Sequence, residues 1–310
     1  MSIASIVLNQ ILTMFILILI GIICFKCNII NEAVCKKLSD LLLQLISPFL
    51  IFTSYQREFS KVVLTGLFIS LGLAVITHLF GILTAYILVP GKKNPDSVVE
   101  RFSVIYSNCG FIGIPLINGI FGSEGIFYIT AYITVFNLFL WTQGLIMMNG
   151  INGITNPKNV AKTLISPTLI SIILGFICFL LQLKVPSVIY DSMEYVASMN
   201  TPLAMIVAGA TIAQTSIRNL FTKVRIYLVL FLKLIFIPAV LAFLYSRLKM
   251  DTPVFVTAVL AAACPTAATG TMFAIRYHKN ALYASEIFAL TTLGALATIP
   301  AVMTLTDLLK

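Results

Sequence analysis

Charge is what this sequence lacks. Only 10% of its 310 residues are charged, and acidic side chains number 11. A water-soluble domain needs roughly 25% charged residues to cover its surface, so a soluble fold is excluded. Histidine is nearly absent, at two residues. No G-x-S-x-G, H-E-x-x-H or Walker-type glycine loop occurs. An enzyme embedded in a membrane needs acids, bases or metal ligands clustered around a cavity, and little here could build one. The missing nucleotide loop also argues against ATP-driven pumping by this chain alone. Cysteine is sparse: Cys24-Phe25-Lys26-Cys27 is formally a C-x-x-C, but no second pair or histidine completes a zinc set. No metal and no organic cofactor is expected.

What is present is apolar. Hydrophobic residues make up 59% of the chain, and mean hydropathy is +1.03. Runs such as Ile11–Cys24 and Leu64–Val89 reach the length that carries a helix across roughly 30 Å of hydrocarbon. They lack the alternation of barrel strands, which leaves an all-α membrane bundle. Ten spans are predicted, near 5–25, 37–55, 62–89, 101–121, 124–148, 161–182, 189–214, 225–246, 253–275 and 281–306. The first run has no basic leader and no small-residue cleavage site, so it is expected to remain as a span. The net charge of +9 comes from short loops, where it sets topology. Nucleic acid is not an expected partner; membrane lipid is. Loops after odd-numbered spans hold 13 Lys and Arg, against 6 in the loops after even-numbered spans and the C-terminal tail. The positive-inside rule makes the richer side cytoplasmic. Both termini then face outward from the plasma membrane.

A Gly/Asn/Pro-rich connection around Asn149–Lys162 divides the chain into residues 1–150 and 151–310, five spans each. Gly21 and Gly175 sit in similar surroundings, Ile20-Gly21-Ile22-Ile23-Cys24-Phe25 and Leu174-Gly175-Phe176-Ile177-Cys178-Phe179. Pro48 and Pro202 share the same offset, and Pro115 and Pro265 nearly so. Because five is odd, the second half must insert upside down, the inverted repeat common in secondary transporters.

The most informative segment is Ser107-Asn108-Cys109-Gly110-Phe111-Ile112-Gly113-Ile114-Pro115, answered in the ninth span by Cys264-Pro265-Thr266-Ala267-Ala268-Thr269-Gly270. Proline breaks or kinks a helix, and the glycines allow close backbone approach. Freed backbone groups at membrane depth are tolerated where they line a polar cavity or lie within protein. Two such breaks in corresponding places point to a binding site. Half-helix N-termini there offer partial positive charge and free N–H groups to an anion.

These segments resemble the auxin efflux carrier family. Further matching stretches are Tyr132-Ile133-Thr134-Val135-Phe136-Asn137, Trp141-Thr142-Gln143-Gly144, Thr291-Thr292 and Thr298-Ile299-Pro300. The resemblance implies a scaffold domain and a mobile transport domain formed by the two intertwined halves. It also implies fourth and ninth helices crossing at their prolines beside the substrate, and export of a small organic anion, such as a carboxylate, by an elevator-type motion. Plant members carry an Asn-Pro pair at the break, where Ile114 and Cys264 precede the prolines here. The long central loop of some plant members is missing.

The substrate-binding candidates are Asn108, Cys109, Gly110, Gly113, Pro115, Asn137, Cys264, Pro265, Thr266 and Lys233. Lys233, mid-span, costs at least roughly 2.5–3.5 kcal/mol in lipid and is expected to face the interior or snorkel; an interior position would attract an anion. Ion coupling, to H⁺ or Na⁺, would draw on His78, Ser107, Thr269 and Glu286; uniport needs none of them. Asn137 and Gln143 also suit helix–helix hydrogen bonding, His78 suits packing, and Glu286 suits the membrane interface. A homodimer is compatible with this reading, and a channel or a ligand-binding receptor of the same fold is the alternative function. Alkaline phosphatase fused after Lys310 should be active in a bacterial host. A fluorescent C-terminal green fluorescent protein fusion would reverse the orientation.

Overall fold

The computed structural model describes residues 3–91, 94–149, 166–214 and 224–309. Among these residues the chain is helical and contains no β-strand. We number the helices α1 (Ile3–Lys26), α2 (32–54), α3 (Lys61–Leu88), α4 (Ser97–Ile105), α5 (109–121), α6 (123–149) and α7 (Pro167–Leu181). Then follow α8 (Ser187–Ala213), α9 (Val224–Tyr245), α10 (Thr252–Ala263), α11 (Thr269–Arg276) and α12 (Ala281–Leu309). Among the described residues six stretches are long and apolar enough to cross a membrane: those in α1, α3, α8, α9, α12 and the α5–α6 run. Helices α7 and α10 are apolar but shorter. The central connection at 150–165, Lys92, Lys93, Arg218 and Lys223 lie outside the described residues.

Three helices share one local device. In α2, α5 and α9 a π-helical turn occupies Leu42–Ile46, Cys109–Gly113 and Leu232–Phe236. The N–H groups of Ser47, Ile114 and Ile237 each reach back five residues, to the carbonyls of Leu42, Cys109 and Leu232. In each case the next residue is proline: Pro48, Pro115 and Pro238. A proline ring collides with the carbonyl four residues earlier. Widening the preceding turn moves that carbonyl aside, so the helix continues. Pro115 therefore does not break the fourth span, contrary to the expectation from sequence. The break lies upstream, at Tyr106–Asn108.

Helices α5 and α6 meet at a single residue. Gly122 adopts φ 57° and ψ −142°, backbone that a side chain makes strained, and the chain turns there without a loop.

Packing follows small residues, as expected where lipid is the solvent. Helix α1 lies against α8, where a Cβ on Gly21 would overlap the Ile206 carbonyl and one on Gly209 the Ile18 carbonyl. Helix α7 lies against α2, with Gly175 on the Tyr55 ring. The Tyr55 hydroxyl in turn meets Thr130 of α6 at 2.5 Å. Near the two prolines of α2 and α8, Asn200 donates to the buried Ser47 hydroxyl at 2.9 Å. Gly21→Val should lower the melting temperature in detergent, since overpacking against backbone costs about 1–3 kcal/mol or more. Gly72→Ala, with nothing within 4 Å of its new methyl, should leave it unchanged.

Candidate functional site: a crossing of two interrupted helices

Two helices stop inside the bundle. Helix α4 ends at Ile105, and Tyr106 is extended (φ −94°, ψ 116°). Helix α10 ends at Ala263, and Cys264 leaves the helix (φ −57°, ψ 146°). The second stop has a local cause: a residue before proline is pushed out of helical backbone, and Pro265 has no N–H to continue the ladder. At the first, Asn108 caps α5, its Oδ1 accepting from the Phe111 N–H at 3.3 Å, the usual role of Asn before a helix.

The two stretches satisfy each other. The Asn108 N–H donates to the Pro265 carbonyl at 2.7 Å, and the Ala267 N–H to the Tyr106 carbonyl at 2.9 Å. Ser107 and Thr266 form an antiparallel bridge between them. From α12, the Thr291 hydroxyl accepts from the Thr266 N–H at 3.3 Å. Helices α5 and α11 begin on the far sides of this crossing, so two N-terminal helix ends meet at it.

Lys233 completes the site. It is 1% exposed, so it lies in the interior and does not snorkel, and its ammonium donates to the Ser107 hydroxyl. Among the described residues no carboxylate lies within ion-pair distance of it. It is carried by the π turn ahead of Pro238. Cys109 and Cys264 are fully buried beside Gly113, whose Cβ would stand 3.3 Å from the Cys264 sulfur. Around Gly110, by contrast, a Cβ would meet nothing within 4 Å. The hydroxyls of Thr266 and Thr269 are buried with no hydrogen-bond partner among the described residues. A narrow apolar crevice lies between α1 and α8 on one side and α5 and α12 on the other, lined by Ile18, Met205, Ile112, Leu116 and Ala295, with Thr292 its only polar residue.

Other candidates fall elsewhere. Pro115 is one π turn beyond the crossing. The Asn137 amide donates to the Ile133 carbonyl on its own helix at 2.9 Å, and among the described residues no hydrogen bond joins it to the crossing. His78 is fully buried, its Nδ1 2.8 Å from the Ala74 carbonyl. The rings of Tyr106, Tyr132, Phe136 and Phe139 surround it, with centroids 5.1–6.3 Å away. Glu286 has 0% exposure and lies within the protein near the start of α12. Gln143 does touch the site from behind, its Oε1 2.6 Å from the Tyr106 hydroxyl. Tyr106 and Thr291, which hold the two breaks, were not among the candidates read from sequence, although Thr291 stood in a matching motif.

Long apolar helices, two backbone breaks paired inside the bundle and a buried ammonium define a multi-pass membrane protein. Its sequence belongs to the membrane transport protein family, that of the auxin efflux carriers, whose model matches residues 6–158 and 154–303. An uncharacterized transporter of Methanothermobacter thermautotrophicus is 26% identical over 297 residues, covering 94% of this chain and 96% of that protein. The uncharacterized transporter YfdV of Escherichia coli is 23% identical over 305 residues, with coverages of 94% and 95%.

Ser107→Ala removes the acceptor of a buried ammonium. It should lower stability in detergent by about 1–3 kcal/mol. An unchanged melting temperature would mean that Lys233 is held by other groups.

Proposed function

We propose that the chain is a secondary transporter that exports a small organic anion, with a carboxylate bound at the crossing. The observation that carries this reading is the Lys233 ammonium, buried at the crossing and bonded to a hydroxyl, with no carboxylate within ion-pair distance among the described residues. A buried charge without a counterion is costly, and an anionic ligand would offset that cost. Two helix N-termini and the Thr266 and Thr269 hydroxyls, which have no partner among the described residues, add donors at the crossing. Asn108, Cys109, Gly110, Gly113, Cys264 and Pro265 form the walls in this reading. Ser107 already faces the ammonium, which would repel a sodium ion at that oxygen.

The architecture proposed is ten spans in two inverted five-helix repeats, with residues 1–150 and 151–310 intertwined. Partner exchange between halves supports it: α1 of the first half packs on α8 of the second, while α7 of the second packs on α2 of the first. Ser47 and Asn200 meet near equivalent prolines. We assign α1, α2, α7 and α8 to a scaffold and the remaining helices to a transport domain that moves as an elevator. The crevice beside Ile112 and Thr292 follows the boundary between them. The plasma membrane, with both termini outside, is the proposed location.

Purified protein in liposomes loaded with radiolabelled malonate, succinate, phenylacetate or indole-3-acetate should release one of these acids saturably. Imposed pH and Na⁺ gradients then distinguish proton coupling, sodium coupling and uniport. Asn108→Ala should abolish most of that flux with little loss of folded protein. Normal flux in this variant would remove the crossing as the site.

A further inference from the structure

One buried carboxylate stands apart from the crossing. Glu100, in α4, is 1% exposed and is surrounded by donors from three other segments. Arg225, at the start of α9, donates from Nε to Oε1 at 2.8 Å and from Nη2 to Oε2 at 2.7 Å. The Tyr283 hydroxyl, at the start of α12, donates to Oε1 at 2.9 Å. The Asn94 amide donates to Oε2 at 2.9 Å. Asn280 extends the network, donating to Asp96 and accepting from the Tyr283 N–H, both at 3.1 Å. A bidentate, charge-assisted pair of this kind fixes orientation as well as position.

The spacing on the three helices is the same. Asn108, Lys233 and Thr291 each lie eight residues beyond Glu100, Arg225 and Tyr283 respectively. All three helices run from the node toward the crossing and pack on one another. In α9 and α12 eight helical residues rise about 12 Å, and on the third path α4 runs from Glu100 to Ile105 before the extended stretch that reaches Asn108, so one node sets where three site residues arrive. A slip of one helix by a single residue would move its site group about 1.5 Å along the axis and rotate it by about 100°.

We propose that Glu100, Arg225 and Tyr283 are positioning residues that hold α4, α9 and α12 in register, so that Asn108, Lys233 and Thr291 meet at the crossing. The inference rests on the crossing being the substrate site. It differs from a packing role, because loosening the node changes the geometry of a site two turns away.

The test uses full-length protein in liposomes carrying Glu100→Gln, Arg225→Lys or Tyr283→Phe. The last two remove single features of the node and serve if the first fails to fold. Amide hydrogen exchange over residues 106–111 and 266–271 should quicken about ten-fold, while peptides containing Gly21 and Gly209 stay unchanged. The KM for whichever of malonate, succinate, phenylacetate or indole-3-acetate saturates should rise several-fold, with turnover at saturation within about two-fold of wild type. A lower melting temperature with unchanged exchange at the crossing would overturn the proposal, as would an unchanged KM in all three variants. If none of the four acids is carried, the anion reading is what fails, and the exchange measurement still decides this one.

Discussion

In a bilayer interior no water is available to take up a backbone N–H or C=O, so every interruption of a helix must be answered by protein. That constraint organises this molecule. Two helices end in mid-bundle, and the Tyr106–Asn108 and Cys264–Ala267 stretches answer each other with two backbone hydrogen bonds. Neither break would be tolerable alone. Once they are paired, the side chains of Ser107, Thr266 and Lys233 and the ends of α5 and α11 are brought together as a consequence. The polar site is thus a product of backbone accounting as much as of side-chain choice.

The same constraint explains how proline is used. Three prolines follow π-helical turns and leave their helices continuous, while Pro265 ends one. The difference lies in what precedes the ring. Where the previous turn can widen, the N–H before the proline finds a carbonyl five residues back and the helix continues. Before Pro265 the chain is already extended, and its carbonyl is used across the crossing instead.

Much of this was legible in the residues. The shortage of charge fixed the solvent, and Lys233 stood out as the one cation inside a span. The polar, glycine-containing segments Ser107–Pro115 and Cys264–Gly270 were recognisable as exceptions within apolar helices. The exact place of the first break was not, because a proline's effect depends on the hydrogen bonding of the turn before it, which sequence does not display. The match of Pro115 with Pro265 was accordingly misleading: the stops themselves fall at Tyr106 and Cys264. Glu100 escaped notice for a different reason. In sequence it reads as a charge at a helix end, and Arg225, its partner 125 positions away, reads as a topology-setting cation. Only the fold brings them together. Tyr106 was hidden among eleven tyrosines, with nothing to mark its backbone as extended.

Gly122 gives the crossing a mechanical property. Helices α5 and α6 are joined by one residue rather than by a loop, so no slack separates the helix that leaves the first break from the one carrying Tyr132 and Gln143. A one-residue junction ties the position of α5 to that of α6 more closely than a loop would. The aromatic cage around His78, which is built largely on α6, is thereby tied to the helix that leaves the first break.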